Sequence, residues 1–317
     1  MKIYSFLFVF FWLSCLSSQA QFTPASTVDT TNRVDILNAN KLGYKKIDST
    51  NEIQTAVGNA IFRNGNTTFY ADSVIYNKAL NQVEAFGNVH INDADSVHTY
   101  ARYLIYYVND KKAILRNQVR LTDGKGVLTT QELEYLTQQK IGSYRNGGKV
   151  VSGSTTLTSR EATYYADMKD VYFKREVKLR DPKYSVDSDS LLYNTQTAVA
   201  TFISETSITD SSKRTVVTSE GFYDTKNKLA RFGGTGGKRP KIKDGGTTIT
   251  GDEVSFDDQL GESYAKGNAV YTDSAQGISV IANSLVANKS KSSFLATQKP
   301  LMILRQKNDS LFLSADT

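Results

Sequence analysis

The stretch ADSVIYNKALNQVEAFGNVHI, residues 71–91, decides the fold. Val74 and Tyr76 alternate with their neighbours, and polar Ser73 precedes them. One apolar face and one wet face at a period of two is the pattern of a half-buried β-strand. Asn77-Lys78 is turn chemistry, and FGNVHI at 86–91 then alternates again with Val89 and Ile91 facing inward. The stretch therefore predicts two strands joined by a tight turn.

The same layout recurs outward in both directions. An aromatic closes each alternation at Tyr44, Tyr76, Tyr106, Tyr135, Tyr164, Tyr193, Tyr223 and Phe256, with Ala287 in the ninth slot, at steps of roughly 30 residues. Two residues before these sit Leu42, Val74, Leu104, Leu133, Ala162, Leu191, Gly221, Val254 and Leu285. A second strand is read at VGNAIF (57–62), FGNVHI (86–91), RNQVRL (116–121), KREVKL (174–179) and KGNAVY (266–271), with inward pairs such as Val119/Leu121. The repeats at 141–151, 198–208 and 229–242 are more degenerate. Turn pairs such as Asn64-Gly65, Asp123-Gly124, Asp181-Pro182 and Asn308-Asp309 punctuate the units. No window keeps a 3.6-residue period, so no helix is expected in the mature chain.

A lone hairpin cannot bury its apolar face, whereas stacked hairpins folded over can. The expected architecture is all-β, an elongated repeat β-jellyroll or folded-sheet solenoid of antiparallel strands. Nine units give about eighteen strands; nine per sheet at ~4.8 Å would make an array on the order of 40 Å long. The repeat domain is expected over 34–317. DSLFLSADT at 309–317 matches the start of a further unit, Ala315-Asp316 aligning with Ala71-Asp72, which reads as a fragment of a longer protein or as an edge open to strand addition.

The first twenty residues carry Lys2, an apolar run from Ile3 to Leu16, and Ser18-Gln19-Ala20 before a cut at Gln21. That is the layout of a secretory signal peptide, too short to span a bilayer comfortably. A rival cut before Cys15 would leave a lipidated cysteine, for which Trp12 is a poor upstream residue. Residues 21–33 read as a polar linker. The 317-residue chain has 18 Tyr, 15 Phe and 4 Pro, which favours strands. Its net charge of +6 includes Lys2 and is dispersed, without the basic and aromatic cluster of a nucleic-acid groove. Cys15 is the single cysteine, which excludes a disulfide scaffold and a Cys-rich zinc site.

Sharper chemistry finds little support. His90 and His98 are the two imidazoles, flanking the 92–95 turn with His90 outward, and they lack the further ligands of a metal shell. GGTGGKRP at 233–240 has Phe232 and Arg239 where a phosphate loop needs Gly and Ser or Thr. Asp187 with Asp189, and Asp93 with Asp95, read as solvated turn carboxylates rather than calcium pairs. No cofactor and no catalytic constellation is expected.

With an export signal, a period near thirty, and recurring AD-x-x-x-Y and GNV elements, the chain resembles the OstA-like family, the periplasmic lipopolysaccharide-transport proteins of Gram-negative bacteria. The matching pieces are residues 71–91 and, more loosely, GDEVSFDDQLGESYAKGNAVY at 251–271. The resemblance implies a twisted β-jellyroll open at both ends, an apolar interior carrying acyl chains, units joined end to end, and no catalytic residues. It implies periplasmic, outer-membrane-directed transport of lipopolysaccharide or a related glycolipid. The implied partners are that glycolipid, other envelope transport proteins paired through edge strands, and further copies end to end. Candidate acyl-chain contacts are Val74, Tyr76, Val89, Ile91, Leu104, Tyr106, Val119, Leu121, Leu133, Tyr135, Leu191 and Tyr193. Headgroup phosphates are expected outside, near Lys174, Arg175 and Lys178. From residues alone two alternatives stay open. One is a structural or adhesive β-solenoid with a solid core, the other the soluble N-terminal part of a larger outer-membrane assembly protein.

Overall fold

The structure is a computed structural model, and it describes residues 35–315 apart from 65–66, 94–96, 125, 235, 258, 289–290, 292 and 308. The expected signal segment 1–20 with Cys15, the linker 21–33, Gly65, Asp95, Asn308 and Asp316 lie outside the described residues. Among the described residues there is no helix, and 27 strand segments form one continuous antiparallel sheet. Each segment pairs with the segments of the strand before and the strand after it, as Gly148–Ser152 does with Val127–Leu136 and Thr155–Ser159. Segments that follow one another across a mid-strand break act as one strand, giving eighteen full-width strands and a final half strand, Ser310–Ser314.

Each full-width strand bends in its middle. In Glu52–Asn64, Gln82–Asp93 and Glu262–Asp273 the register shifts at a Gly-Asn pair whose backbone is left-handed, with φ of 81° and 49° at Gly58-Asn59 and 67° and 39° at Gly87-Asn88. Such two-residue bulges kink a strand and restart its inward phase. Val83 and Ala85 face inward before the bulge, and Val89 and Ile91 after it. The Asp of the AD element lies against this bulge. A Cβ on Gly87 would stand 2.2 Å from an Asp72 carboxylate oxygen, so glycine is required there. Asn88 donates its amide to both Asp72 oxygens at 3.1 and 3.0 Å, and Asn268 repeats the bond to Asp252 at 3.1 Å. The bends align from strand to strand, so the sheet folds along one crease and its two halves face each other in a β-jellyroll.

The period of about thirty residues is enforced at the turns as well. Val108 N–H donates to the Asn81 carbonyl at 3.1 Å, Thr137 to Lys111 at 2.8 Å, Ala166 to Lys140 at 3.1 Å and Thr195 to Lys169 at 2.8 Å. Each acceptor is the left-handed residue that closes the preceding turn on that side. Each of these turns thus seats on the one two strands earlier.

Four expectations need correction. VGNAIF and its counterparts are the far halves of strands that start earlier, at Glu52 for the first. Because every strand contributes to both faces of the fold, all eighteen stack in one direction, and at ~4.8 Å each the array is roughly 85 Å long, not 40 Å. Asp187 and Asp189 lie inside the strand Tyr184–Asn194 rather than in a turn, and Asp187 pairs with Arg180 at 2.7 Å. Leu42 and Tyr44 keep their register but are 63% and 61% exposed, since their strand is outermost in the described sheet and has one neighbour.

Candidate functional site: a two-walled apolar trough

Strand pairing converts the periodic residues into rows that run the length of the array. On one half of the sheet, Tyr76 opposes Val83, Val83 opposes Tyr106, and the row continues through Ala113, Tyr135, Gly142, Tyr164, Val171, Tyr193, Ala200, Tyr223 and Ala230 to Phe256. Aromatic rings on alternate strands are separated by smaller side chains. A ring therefore recurs about every 10 Å, with a furrow between successive rings.

The facing half carries a second row. It starts at Phe62, passes Phe69, Ile91, Thr99, Leu121, Leu128, Val150, Leu157, Leu179 and Val186, and reaches Ile208, Val216, Ile242, Ile249, Tyr271, Val280 and Met302. Thr99 is its one polar member. The two rows flank the crease, and both walls are apolar from one end to the other.

Burial deepens toward the crease. Leu104 is 0% exposed and Val89, Val119 and Leu191 are 1% exposed, with Leu133 and Val74 also buried. These six pack in the floor of the trough. Tyr76, Ile91, Tyr106, Leu121, Tyr135 and Tyr193 are half-buried against that floor and line the walls. Two buried clusters make the floor, one over strands 52–136 and one from Tyr144 to Leu285, and Leu128 touches both.

The phenols in the walls are held neutral. Burial pushes Tyr164 and Tyr193 above the ordinary tyrosine value, and burial with the nearby Asp181 carboxylate pushes Tyr184 up to about 12. Tyr76 Oη donates to Asn81 Oδ1 at 2.9 Å, tying the ring to the turn. The charges lie outside. Lys174 sits 4.4 Å over the Tyr172 ring and Arg175 is bound to Glu161 at 2.9 Å, while Lys178 faces outward on the opposite half. His90 lies on the outer face, stacked 4.5 Å from Tyr100, with Nε2 3.1 Å from His98 Nδ1. Its imidazole is depressed by burial and by His98. Of the 233–240 segment, Gly233 ends the strand Leu229–Gly233 and 236–240 are loop residues at the crease, where Arg239 donates to the Gly267 carbonyl at 3.0 Å and pairs with Asp252 at 3.1 Å.

The second wall through the degenerate repeats is what sequence reasoning missed. Its signal is a spacing, an apolar residue two before a small hydroxyl, at Leu128/Thr130, Leu157/Ser159, Val186/Ser188 and Val216/Thr218. Those hydroxyls are buried or half-buried in the crease and donate to main-chain carbonyls, as Thr218 does to Glu220 and Gly233 at 2.7 and 2.8 Å.

Comparison with known proteins gives one family, described as OstA-like protein, whose model matches residues 31–189. Among solved structures, one similar chain is LptH, the LptA homologous periplasmic component of the conserved lipopolysaccharide transport device from Pseudomonas aeruginosa. It is 16% identical, with a TM-score of 0.32 over 36% of this chain and 82% of that one. No curated protein matches the chain.

Proposed function

The chain belongs to the OstA-like family, and from that premise we propose that it is a periplasmic, non-catalytic carrier of lipopolysaccharide or a related glycolipid toward the outer membrane. Acyl chains lie in the trough, between the aromatic row and the aliphatic row. The observation that carries this reading is the second wall, apolar at every strand from Phe62 to Met302 but for Thr99. A solid core would bury both rows throughout; instead Ile91, Leu121, Val150, Leu179 and Ile249 of the aliphatic row and the tyrosines of the aromatic row are only partly buried, while Phe62, Leu157, Val186, Val216, Ile242 and Val280 join the floor. Each buried CH₂ contributes about 0.8 kcal/mol, so a chain of about a dozen carbons gains several kcal/mol after losses. The furrows over Val83, Ala113 and Gly142 accept chains between the rings. In this reading residues 1–20 direct export, 21–33 tether, and the repeat domain carries.

The contacts divide by depth. Tyr76, Tyr106, Tyr135, Tyr193, Ile91 and Leu121 touch cargo. Val74, Val89, Leu104, Val119, Leu133 and Leu191 support them from the floor. The outermost described strands offer edges for partner proteins or further copies, with Ile36 at one end and Phe312 at the other exposed.

The test is mass spectrometry of lipids extracted from the purified mature protein, with photo-crosslinkers placed at Tyr106 and Leu121. Glycolipid adducts at both, and none at outward Tyr100, are expected. Protein that carries no lipid and gives equal labelling at the three positions would sink the proposal.

A further inference from the structure

The aromatic wall breaks its own pattern at Gly142. Between successive rings of that row stand Val83, Ala113, Gly142, Val171, Ala200 and Ala230. Gly142 opposes Tyr135 on one side and Tyr164 on the other, in the short strand Ile141–Tyr144. A glycine inside a strand weakens it, because it loses more chain freedom on folding and packs no side chain. The usual structural reasons for accepting that loss are absent here. Its φ lies outside the left-handed region, and a Cβ built on it would meet only the Tyr135 ring, at an ordinary 3.5 Å. Each other described strand glycine has such a reason. Gly58, Gly87, Gly221 and Gly267 have positive φ. A Cβ on Gly43, Gly148 or Gly233 would press into Thr55, the Tyr144 ring or Glu220.

The space left at Gly142 opens to the trough and is not a void in the core. Beneath it Tyr144 is 3% exposed and fills the floor, its hydroxyl bonded to Ser159 at 2.7 Å. On the facing wall the continuation of the same strand presents Val150, between Leu128 and Leu157. Tyr135 and Tyr164 are half-buried and stand about 10 Å apart, one on each side. The furrow between them is one methyl deeper than those over Ala113, Ala200 and Ala230, and deeper still than those over Val83 and Val171.

We propose that Gly142 is a specificity-determining position of the trough, and that its furrow takes the branch of a methyl-branched acyl chain. This rests on the carrier reading and adds which chains the carrier prefers. The absent side chain and the branch are the same size, so the branch fills the space that an alanine Cβ occupies in the other furrows. A straight chain crossing the same furrow leaves that space unfilled and forfeits the contacts of one methyl. One buried methyl is worth roughly fourfold in affinity. A cis-unsaturated chain bends without adding volume, so it gains nothing there.

The test is displacement of a fluorescent fatty acid, parinaric acid, from the delipidated mature chain. The competitors have equal carbon number: hexadecanoic acid, its mono-methyl-branched isomers, and a cis-hexadecenoic acid. All displace the probe, and a branched isomer does so at roughly a quarter of the straight-chain concentration. Gly142→Ala abolishes that preference without weakening the straight chain. Adding Ala113→Gly to Gly142→Ala moves the deep furrow two strands back and restores it. Gly142→Ala also raises the urea midpoint, since alanine fits this backbone and restricts the unfolded chain, which separates lost preference from lost fold. The inference is overturned if the parent treats branched and straight chains alike, if Gly142→Ala keeps the preference or lowers the midpoint, or if the cis acid outcompetes the branched ones. If no acid displaces the probe, the carrier reading falls with it; if all do so equally, this inference alone falls.

Discussion

The strands of residues 52–136 and those of residues 141–257 turn the same crease by different means. In the first region the strands run through, and left-handed pairs such as Gly87-Asn88 or Asn117-Gln118 bend them. In the second most strands break outright, as at 145–147, 203–205 and 236–240, and a crease hydroxyl takes up the freed carbonyls. Ser188 bonds the Ser190 carbonyl at 3.0 Å and the hydroxyls of Ser204 and Thr206 at 3.0 and 2.8 Å. The floor is filled accordingly. Ala60, Ala71 and Ala101 face Leu104 and Leu115 in the first region, whereas Ser159, Thr206 and Thr218 accompany Tyr144, Phe173, Phe202 and Phe232 in the second. One geometric requirement, a bent strand with its carbonyls satisfied, therefore has two chemical answers, and the apolar rows cross from one to the other unbroken.

The largest effect should come from closing a bulge. Gly87→Val places carbon against Asp72 at a left-handed position and is expected to cost about 3 kcal/mol or more. Valine at the exposed break residue Arg145 should change stability by less than about 1 kcal/mol. Urea denaturation compares the two, and equal losses would erase the distinction. Removing a crease hydroxyl should come next. Thr218→Val keeps the shape but removes the one hydroxyl proton that the Glu220 and Gly233 carbonyls share, an expected loss of about 1–3 kcal/mol, with Ala101→Ser in the first region giving no matching gain. Smaller still is the bulge's surface bond. Asp72→Ala is expected to cost under about 1 kcal/mol by the same assay, because the pair is exposed.

The last prediction uses acid. His90 is depressed by burial and by His98. The unfolded chain therefore binds a proton that the native chain resists. Its contribution is full above the ordinary imidazole value and is lost as pH falls through and below it. Both imidazoles lie in the first region, so native-state hydrogen exchange at pH 5 should loosen residues 67–122 first, and His90→Phe should remove that sensitivity. Uniform loosening along the chain would show that the imidazoles do not localise the effect.

The first region was more legible for physical reasons. Gly-Asn and Ala-Asp are dipeptides with conformational meaning, and Tyr76, Tyr106 and Tyr135 keep their period because each must meet the same row. The second region hides its wall. Ser159, Ser188 and Thr218 read as surface residues, since a small hydroxyl at an inward position defeats a hydrophobic count. Only pairing shows that Leu157, Val186 and Val216 continue the row of Leu121. The exposure of Leu42 and Tyr44 was equally invisible, because period alone does not say where neighbours run out. Nor did it show that strands stack singly, which set the length. The division of the candidate contacts into floor and wall follows from depth below the rim, a quantity that alternation does not encode.

The seating of each turn on its predecessor makes reach an adjustable property of this protein. A strand answers only to the strands beside it, and the bond from Thr137 to Lys111 has the same form as that from Thr195 to Lys169. Adding or excising two strands between equivalent turn residues would lengthen or shorten the span by about 10 Å while leaving every remaining joint as it was. The molecule behaves as a ruler graduated in hairpins, its length set by counting them.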